Sequence, residues 1–188
     1  MRVTGGTLRG RRLASIKGLH IRPSADRVKE AIFNLIGQDL ADARVLDLFA
    51  GTGALGIEAL SRGASSVLFV DKAEQAVRSI KRNLKQLGYE GAGAVLKRDV
   101  SKGLSWKHPF IQAGIDVTFL DPPYGSALIP GVLRELCQKR LLRSRAVVVA
   151  ESSKDESMPA HLEGLIVVKT RSYGETKVTI YGAAETLP

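Results

Sequence analysis

From Arg44 onward the chain alternates short apolar runs with longer amphipathic ones. Val45-Leu46-Asp47-Leu48-Phe49, Ser66 to Val70, Ala94-Val95-Leu96, Ile115 to Leu120 and Ala146 to Ala150 are short, apolar and bounded by polar or glycine-containing stretches, so each reads as a buried strand. Between them, Ala54 to Arg62, the stripe Ala73, Val77, Ile80, Leu84 and Leu87, and Leu128 to Lys139 carry helical spacing, with Gly63 and Gly88 as stops. The opposite face of the middle helix, Arg78, Lys81, Arg82 and Lys85, reads as a solvated surface. Strand, helix, strand repeated in this way predicts a parallel sheet covered on both faces with right-handed crossovers. The last stretch differs. Ile166 to Arg171 and Lys177 to Tyr181 flank Ser172-Tyr173-Gly174-Glu175-Thr176, which predicts an antiparallel hairpin at one edge. Upstream, Ser24 is placed to cap a helix with the apolar stripe Val28, Ala31, Ile32, Leu35 and Ile36, ended by Gly37. Arg2-Val3-Thr4 and Arg11-Arg12-Leu13, around Gly5, Gly6 and Gly10, predict a small irregular hairpin before it.

At 188 residues, 44% apolar and 25% charged, the chain has the make-up of one globular domain with a short extension. We place the extension at residues 1–20 and the main domain at 21–188. No apolar run reaches bilayer length, and the basic start has no apolar stretch behind it, so neither a membrane span nor a signal peptide is expected. Cys137 is the only cysteine, which excludes an internal disulfide and fits a reducing cytoplasm. His20, His108 and His161 lack ligand spacing, and no metal is expected. Nothing suggests an obligate interface, so a monomer is expected. Charge changes the picture more. Lys and Arg outnumber Asp and Glu by 28 to 19, a formal charge of +9, and Arg2, Arg9, Arg11, Arg12, Lys17 and Arg22 all precede the first acidic residue, Asp26. Such a local field attracts polyanions, and the interleaved glycines and apolar residues suit an arm that tracks phosphates.

The candidate chemistry lies where strands end. Asp121-Pro122-Pro123-Tyr124 closes the Ile115 strand, and proline donates no ladder hydrogen bond, so pairing stops there. What remains is the Asp121 carboxylate, the Pro122 carbonyl and the Tyr124 ring, a set that suits a planar base bearing an exocyclic amine. Gly51, Gly53 and Gly56 fit G-x-G-x-x-G after the first strand, and Asp71 follows Gly51 by twenty positions, where an acid can bind ribose hydroxyls. Glycine is expected here so that backbone can approach a ligand. The turn alone does not choose between a dinucleotide and S-adenosylmethionine. Asp47, inside the first strand, would repel a pyrophosphate and attract an ammonium group, and Asp99 at the third strand end is placed to accept from an adenine amine. Either aspartate alone reads equally as a cap or a paired surface charge.

With these residues placed, the sequence resembles a class I S-adenosylmethionine-dependent methyltransferase, most closely the bacterial family that methylates N2 of a guanine in 16S ribosomal RNA. The resemblance rests on Gly6-Thr7-Leu8-Arg9-Gly10-Arg11, the helix motif from Arg22-Pro23-Ser24 to Phe33-Asn34, the Asp47 to Gly56 turn, Asp121 to Tyr124 and Tyr173-Gly174-Glu175-Thr176. Ser24 stands where the family pattern has Thr, a change that keeps the hydroxyl. The resemblance implies a Rossmann-like, mostly parallel seven-stranded sheet with an antiparallel C-terminal hairpin and helices on both faces. It further implies that Asp47, Gly51 and Gly53 hold the methionine part of S-adenosyl-L-methionine, Asp71 the ribose and Asp99 the adenine, with Lys72 and Val100 also binding the cofactor. The Ser24 to Arg27 segment would cover the methionine side. Asp121, Pro122 and Tyr124 would be catalytic, with Asp121 also bordering the cofactor. Arg2, Arg9, Arg11, Arg12 and Arg22 would hold 16S rRNA in the small ribosomal subunit or an assembly intermediate. Rival readings are an N6-adenine methyltransferase on DNA, which uses the same Asp-Pro-Pro-Tyr chemistry but usually needs an inserted recognition region, a nicotinamide-dependent dehydrogenase, which leaves Asp121 to Tyr124 unexplained, and an idle RNA-binding protein.

Overall fold

The computed structural model describes residues 1–16, 25–104, 107–162 and 164–183. Strands β1 (Arg44–Leu48), β2 (Ser66–Asp71), β3 (Gly93–Lys97), β4 (Ile115–Leu120) and β5 (Leu142–Ser153) pair in parallel in the order β3-β2-β1-β4-β5. The sheet continues antiparallel from β5 through β8 (Thr176–Ala183) and β7 (Leu165–Tyr173) to β6 (His161–Leu162). The alternation of side chains along a strand explains why the runs are apolar throughout. Val45, Val67, Phe69 and Phe119 point into a layer shared with helices α1 (Ala25–Ile36), α2 (Ala54–Ser61) and α3 (Glu74–Leu87). Leu46, Leu48, Leu68 and Leu120 point into the opposite layer, which holds the short α4 (Pro109–Gln112) and α5 (Ile129–Gln138). The Arg78, Lys81, Arg82 and Lys85 face of α3 is exposed, as expected from the pattern.

The C-terminal hairpin forms as expected, with Tyr173 opposite Thr176 at its tip. Among the described residues the sheet has eight strands rather than the expected seven. The extra one, β6, is only two residues long and extends the edge beside β7, too short for any periodicity to announce it. Ser24 and Arg22 lie outside the described residues, so the expected Ser24 cap does too.

The chain runs outward from β1 to β3 on one side, then restarts at β4 and runs to β5 on the other. That reversal between β1 and β4 opens a crevice at the carboxyl ends of the strands.

The N-terminal arm forms an irregular hairpin. Arg2 bridges Arg12, the Val3 amide donates to Arg11 at 2.9 Å, and the Gly10 amide donates to Val3 at 2.8 Å. The arm is docked against α2, and Val3 and Leu13 belong to the core. The docking point is Glu58, which is fully buried. Its carboxylate accepts from the Thr4 amide (2.8 Å), the Gly5 amide (2.6 Å) and the Thr4 hydroxyl (2.9 Å), and pairs with Lys29 of α1 at 3.0 Å and Arg62 at 2.9 Å. Lys29 also donates to the Arg2 carbonyl. Gly6 follows with φ +71°, where a Cβ would lie 1.8 Å from the Ser61 carbonyl oxygen, so only glycine lets the arm lie this close to the helix.

Candidate active site

The crevice is a cavity of about 520 Å³ whose walls come from the ends of β1, β2, β4 and β5, the loop after β3, the start of β8 and the first residues of α1 and the arm. Asp47 is buried inside β1 and accepts from the Gly56 amide at 2.9 Å in the first turn of α2. Burial pushes its carboxyl well above the usual carboxylate range; the Gly56 hydrogen bond opposes this, and the charges of Asp121 and Asp71 add to it. Asp71 ties the glycine turn to the next helix: one oxygen accepts from the Gly51 amide at 2.9 Å and the other from Ala73 at 2.8 Å. A carboxylate has about four lone-pair directions, so these two bonds leave acceptor capacity toward the cavity. Asp99 accepts from the Ser101 hydroxyl (2.7 Å) and amide (3.0 Å), which together with Lys72 and Lys102 hold its carboxyl below the usual range.

Opposite, β4 ends at Asp121, which is exposed, followed by the buried Pro122. Both line the cavity. The Tyr124 hydroxyl lies 2.7 Å from the Thr176 hydroxyl at the start of β8, which fixes the ring beside the hairpin. The sequence therefore folds so that one strand exit holds an acceptor pair and the neighbouring strand exit holds the glycine turn, with an aromatic ring tethered to the start of β8 three positions after Asp121.

Residues 1–182 match the family described as "Conserved hypothetical protein 95". The chain is 33% identical over 181 residues to ribosomal RNA small subunit methyltransferase D of Haemophilus influenzae, covering 96% of this chain and 93% of that one. It is 31% identical over 159 residues to the Escherichia coli K12 protein of the same name, covering 85% and 78%. A solved structure of a hypothetical protein from Thermus thermophilus superimposes with a TM-score of 0.75 at 30% identity, over 96% of this chain and 98% of that one. The chain belongs to the ribosomal RNA small subunit methyltransferase D family. The fold is also shared, at 17% identity and a TM-score of 0.61, with an RNA methyltransferase from Salinibacter ruber, solved in complex with S-adenosyl-L-homocysteine.

Within this family member the cavity wall brings together Asp47, Gly51, Asp71, Lys72, Asp99, Val100, Asp121 and Pro122. Gly53 and Tyr124 stand outside that wall. Gly53 is buried behind the turn as the N-cap of α2 with φ +79°, and a Cβ on it would press on Phe69 and Ile80. Gly56 has a packing role: its Cβ would lie 2.3 Å from the Phe69 ring. Of the three glycines, only Gly51 is on the cavity wall, so ligand approach explains one and helix-to-sheet packing the other two. Arg27 is exposed on α1, while its neighbour Val28 lines the cavity. Arg2, Arg9, Arg11 and Arg12 are all exposed on the arm, whose first residue, Met1, reaches the cavity and accepts from the Thr52 hydroxyl through sulfur at 3.5 Å.

Sequence reasoning missed Met1, Val28, Arg98, Ser126, Glu151 and Thr176 on the wall. Glu151 was within reach, since it directly follows the Ala146 to Ala150 run just as Asp121 follows Leu120. Arg98 and Ser126 share loops with Asp99 and Tyr124, whereas Met1, Val28 and Thr176 arrive by docking of distant segments.

The donor set fits S-adenosylmethionine. Among the described residues, five carboxyl side chains on the wall (Asp47, Asp71, Asp99, Asp121 and Glu151) stand with two cationic side chains, Lys72 and Arg98. That balance disfavours a pyrophosphate and favours a ligand carrying an ammonium and a sulfonium. No helix among the described residues is long and apolar enough to cross a membrane.

Asp47 gives a test with a definite sign. Because its folded carboxyl titrates above the unfolded one, the folded protein holds the extra proton across that window, and stability falls as pH rises from the ordinary carboxylate range toward the raised value. Asp47→Asn keeps an oxygen acceptor for Gly56 and removes the buried charge. The variant should unfold at neutral pH no more easily than the parent. Its affinity for S-adenosylmethionine should fall by about tenfold or more, consistent with losing a charged hydrogen bond of roughly 1.5–3 kcal/mol. Thermal melts with and without ligand, together with titration calorimetry, check both halves.

Proposed function

We propose that this protein transfers a methyl group from S-adenosyl-L-methionine to the exocyclic N2 amine of a guanine in 16S ribosomal RNA of the small subunit. The observation that carries the reading is Asp121 with Pro122 at the exit of β4, lining the same acidic cavity as the glycine turn of β1. The names of the family's rRNA methyltransferases support the substrate class.

When bound, S-adenosylmethionine supplies a methyl group on a cationic sulfur, which leaves with the electron pair of the broken carbon–sulfur bond as a neutral thioether. Asp47 would hold the ammonium of its methionine part, Asp71 its ribose and Asp99 its adenine, with Lys72 and Val100 also lining the cofactor site. The guanine amine is a weak nucleophile because its lone pair is delocalised into the ring. Asp121 and the Pro122 carbonyl accept the two amine N–H bonds and turn that lone pair out of conjugation, toward the methyl. These hydrogen bonds strengthen as the nitrogen gains positive charge in forming its bond to carbon, so they stabilise the transition state more than the ground state. The cationic nitrogen then loses one proton to Asp121 or to water, leaving a neutral N2-methylguanine. In-line placement supplies much of the remaining acceleration. A stacked base does not reach such a crevice, so the target is unpaired or flipped out, with Tyr124 as its stacking partner. Ser24 and Arg27 close the methionine side in this reading.

Residues 1–20 serve as the RNA-contacting extension of the 21–188 methyltransferase domain, with Arg2, Arg9, Arg11, Arg12 and Arg22 tracking phosphates. Reversing the charge at Arg9, Arg11 and Arg12 should weaken RNA binding and reduce the salt slope by about 0.7–0.9 for each phosphate no longer neutralised. S-adenosylmethionine affinity should be unmoved. Filter binding across a salt series reads the slope, and an unaltered one would remove the arm from the RNA-binding surface.

The reading as a whole is tested by incubating the protein with methyl-labelled S-adenosylmethionine and small-subunit RNA or particles lacking the modification, followed by nucleoside analysis. Label in N2-methylguanosine is expected. Label in N6-methyladenine with DNA as the better acceptor would overturn the substrate and keep the chemistry.

A further inference from the structure

We infer that Glu151 is the specificity-determining residue that accepts the N1–H of the target guanine, next to the amine held by Asp121. The inference rests on the guanine N2 reading above. Parallel register pairs Leu120, the last residue of β4, with Ala150 of β5, so Asp121 and Glu151 each directly follow the final pair of the ladder. Neighbouring strands lie about 4.8 Å apart, so the two residues start from adjacent backbones where β4 leaves the sheet. Both line the same cavity, and β5 continues through the Glu151–Val178 pair into β8, whose Thr176 lines that wall as well. A second polar group on the wall points the same way. The Ser126 hydroxyl, in the loop after Tyr124, is buried without a hydrogen-bond partner among the described residues, as expected of a site completed by a polar ligand.

The chemistry of the base edges supplies the rest. An ionised carboxylate only accepts hydrogen bonds. Guanine presents two adjacent donors on its Watson–Crick edge, N1–H and the N2 amine. Adenine and cytosine each present an amine beside a ring nitrogen that is itself an acceptor. One carboxylate at the amine accepts all three bases. A second one beside it attracts guanine and sets two acceptors against each other with adenine or cytosine. Discrimination against the wrong base thus comes from a repulsive contact as well as a favourable one.

The test uses target RNA carrying either guanine or 2-aminopurine, which keeps the N2 amine and replaces N1–H by an acceptor. The rate of labelled methyl transfer to each is compared in the parent and in Glu151→Gln, whose amide offers an N–H to an acceptor. In the parent, guanine should be preferred strongly. In Glu151→Gln the guanine to 2-aminopurine ratio should fall by about tenfold or more, because a site built to hydrogen-bond one partner rejects the analogue that lacks it. The intrinsic difference in amine reactivity cancels in this comparison. Glu151→Asp, should the glutamine variant fold poorly, should lose guanine turnover without gaining 2-aminopurine. S-adenosylmethionine titration confirms that each variant still holds the donor. An unchanged ratio with intact donor binding would overturn the assignment, since a merely structural role lowers both rates together. Absence of any N2-guanine labelling by the parent would instead overturn the proposed function, and the Glu151 assignment with it.

Discussion

Glu58→Ala is expected to remove about 3–5 kcal/mol of folding stability, the scale of breaking a buried ion pair from one side. The expectation follows from what the substitution leaves behind. Lys29 and Arg62 have side chains only 4% exposed, and both lose the Glu58 carboxylate at once, which leaves Lys29 only the longer pair with Asp26 at 3.8 Å. The Thr4 and Gly5 amides lose their acceptor in the same step, which leaves the arm held to α2 through Ser61, whose hydroxyl accepts from the Leu8 amide and donates to the Gly5 carbonyl. Burial alone would raise the Glu58 carboxyl, but Lys29 and the Thr4 donors outweigh it and hold it below the usual glutamate range. Its stabilising contribution is therefore complete above the ordinary glutamate pKa and is lost as pH falls through the depressed value. Denaturant unfolding of the variant at neutral pH measures the loss, and the parent's own stability should drop over that acidic window. Amide exchange at Thr4 and Gly5 should rise in the variant, since those donors face water once the arm lifts. A loss below about 1 kcal/mol, the scale of an exposed pair, would show that the network is not what fastens the arm.

Asp121→Ala is expected to lower methyl transfer by about 10²–10³-fold or more, the usual weight of one preorganised polar group aimed at developing charge. Cofactor affinity should survive. Asp121 is one of the charges that push the Asp47 carboxyl up, so removing it makes Asp47 easier to ionise and its hold on an ammonium no weaker. Asp121→Asn should be similarly impaired, because its amide can turn a donor toward the N–H bonds it has to accept. Single-turnover transfer with saturating S-adenosylmethionine, read beside an equilibrium titration, separates the two effects. Near-normal turnover in the alanine variant would remove Asp121 from the chemistry.

Period and composition along the chain determined the parallel half of the sheet, the helices between strands and the terminal hairpin. Each of these depends on side-chain alternation or turn chemistry that a short window contains. The same local logic located Asp47, Asp71, Asp99 and Asp121, because a strand that ends in a carboxylate announces itself wherever it sits. Glu151 obeys that logic too, since it follows the Ala146 to Ala150 run as Asp121 follows Leu120.

Tertiary structure decided the rest. Two residues of β6 carry no period, and pair with β7 only because the hairpin presents an open edge. Gly53 and Gly56 turned out to serve Phe69 and Ile80, side chains more than ten positions away. Met1 and Val28 reach the cavity because distant segments dock: Glu58 binds the arm across more than fifty residues of chain and pairs with Lys29, next to Val28 on α1. The neighbour relation between Asp121 and Glu151 is a matter of strand register. Such relations depend on which distant surfaces bury one another, and that is settled by the packing of the whole chain.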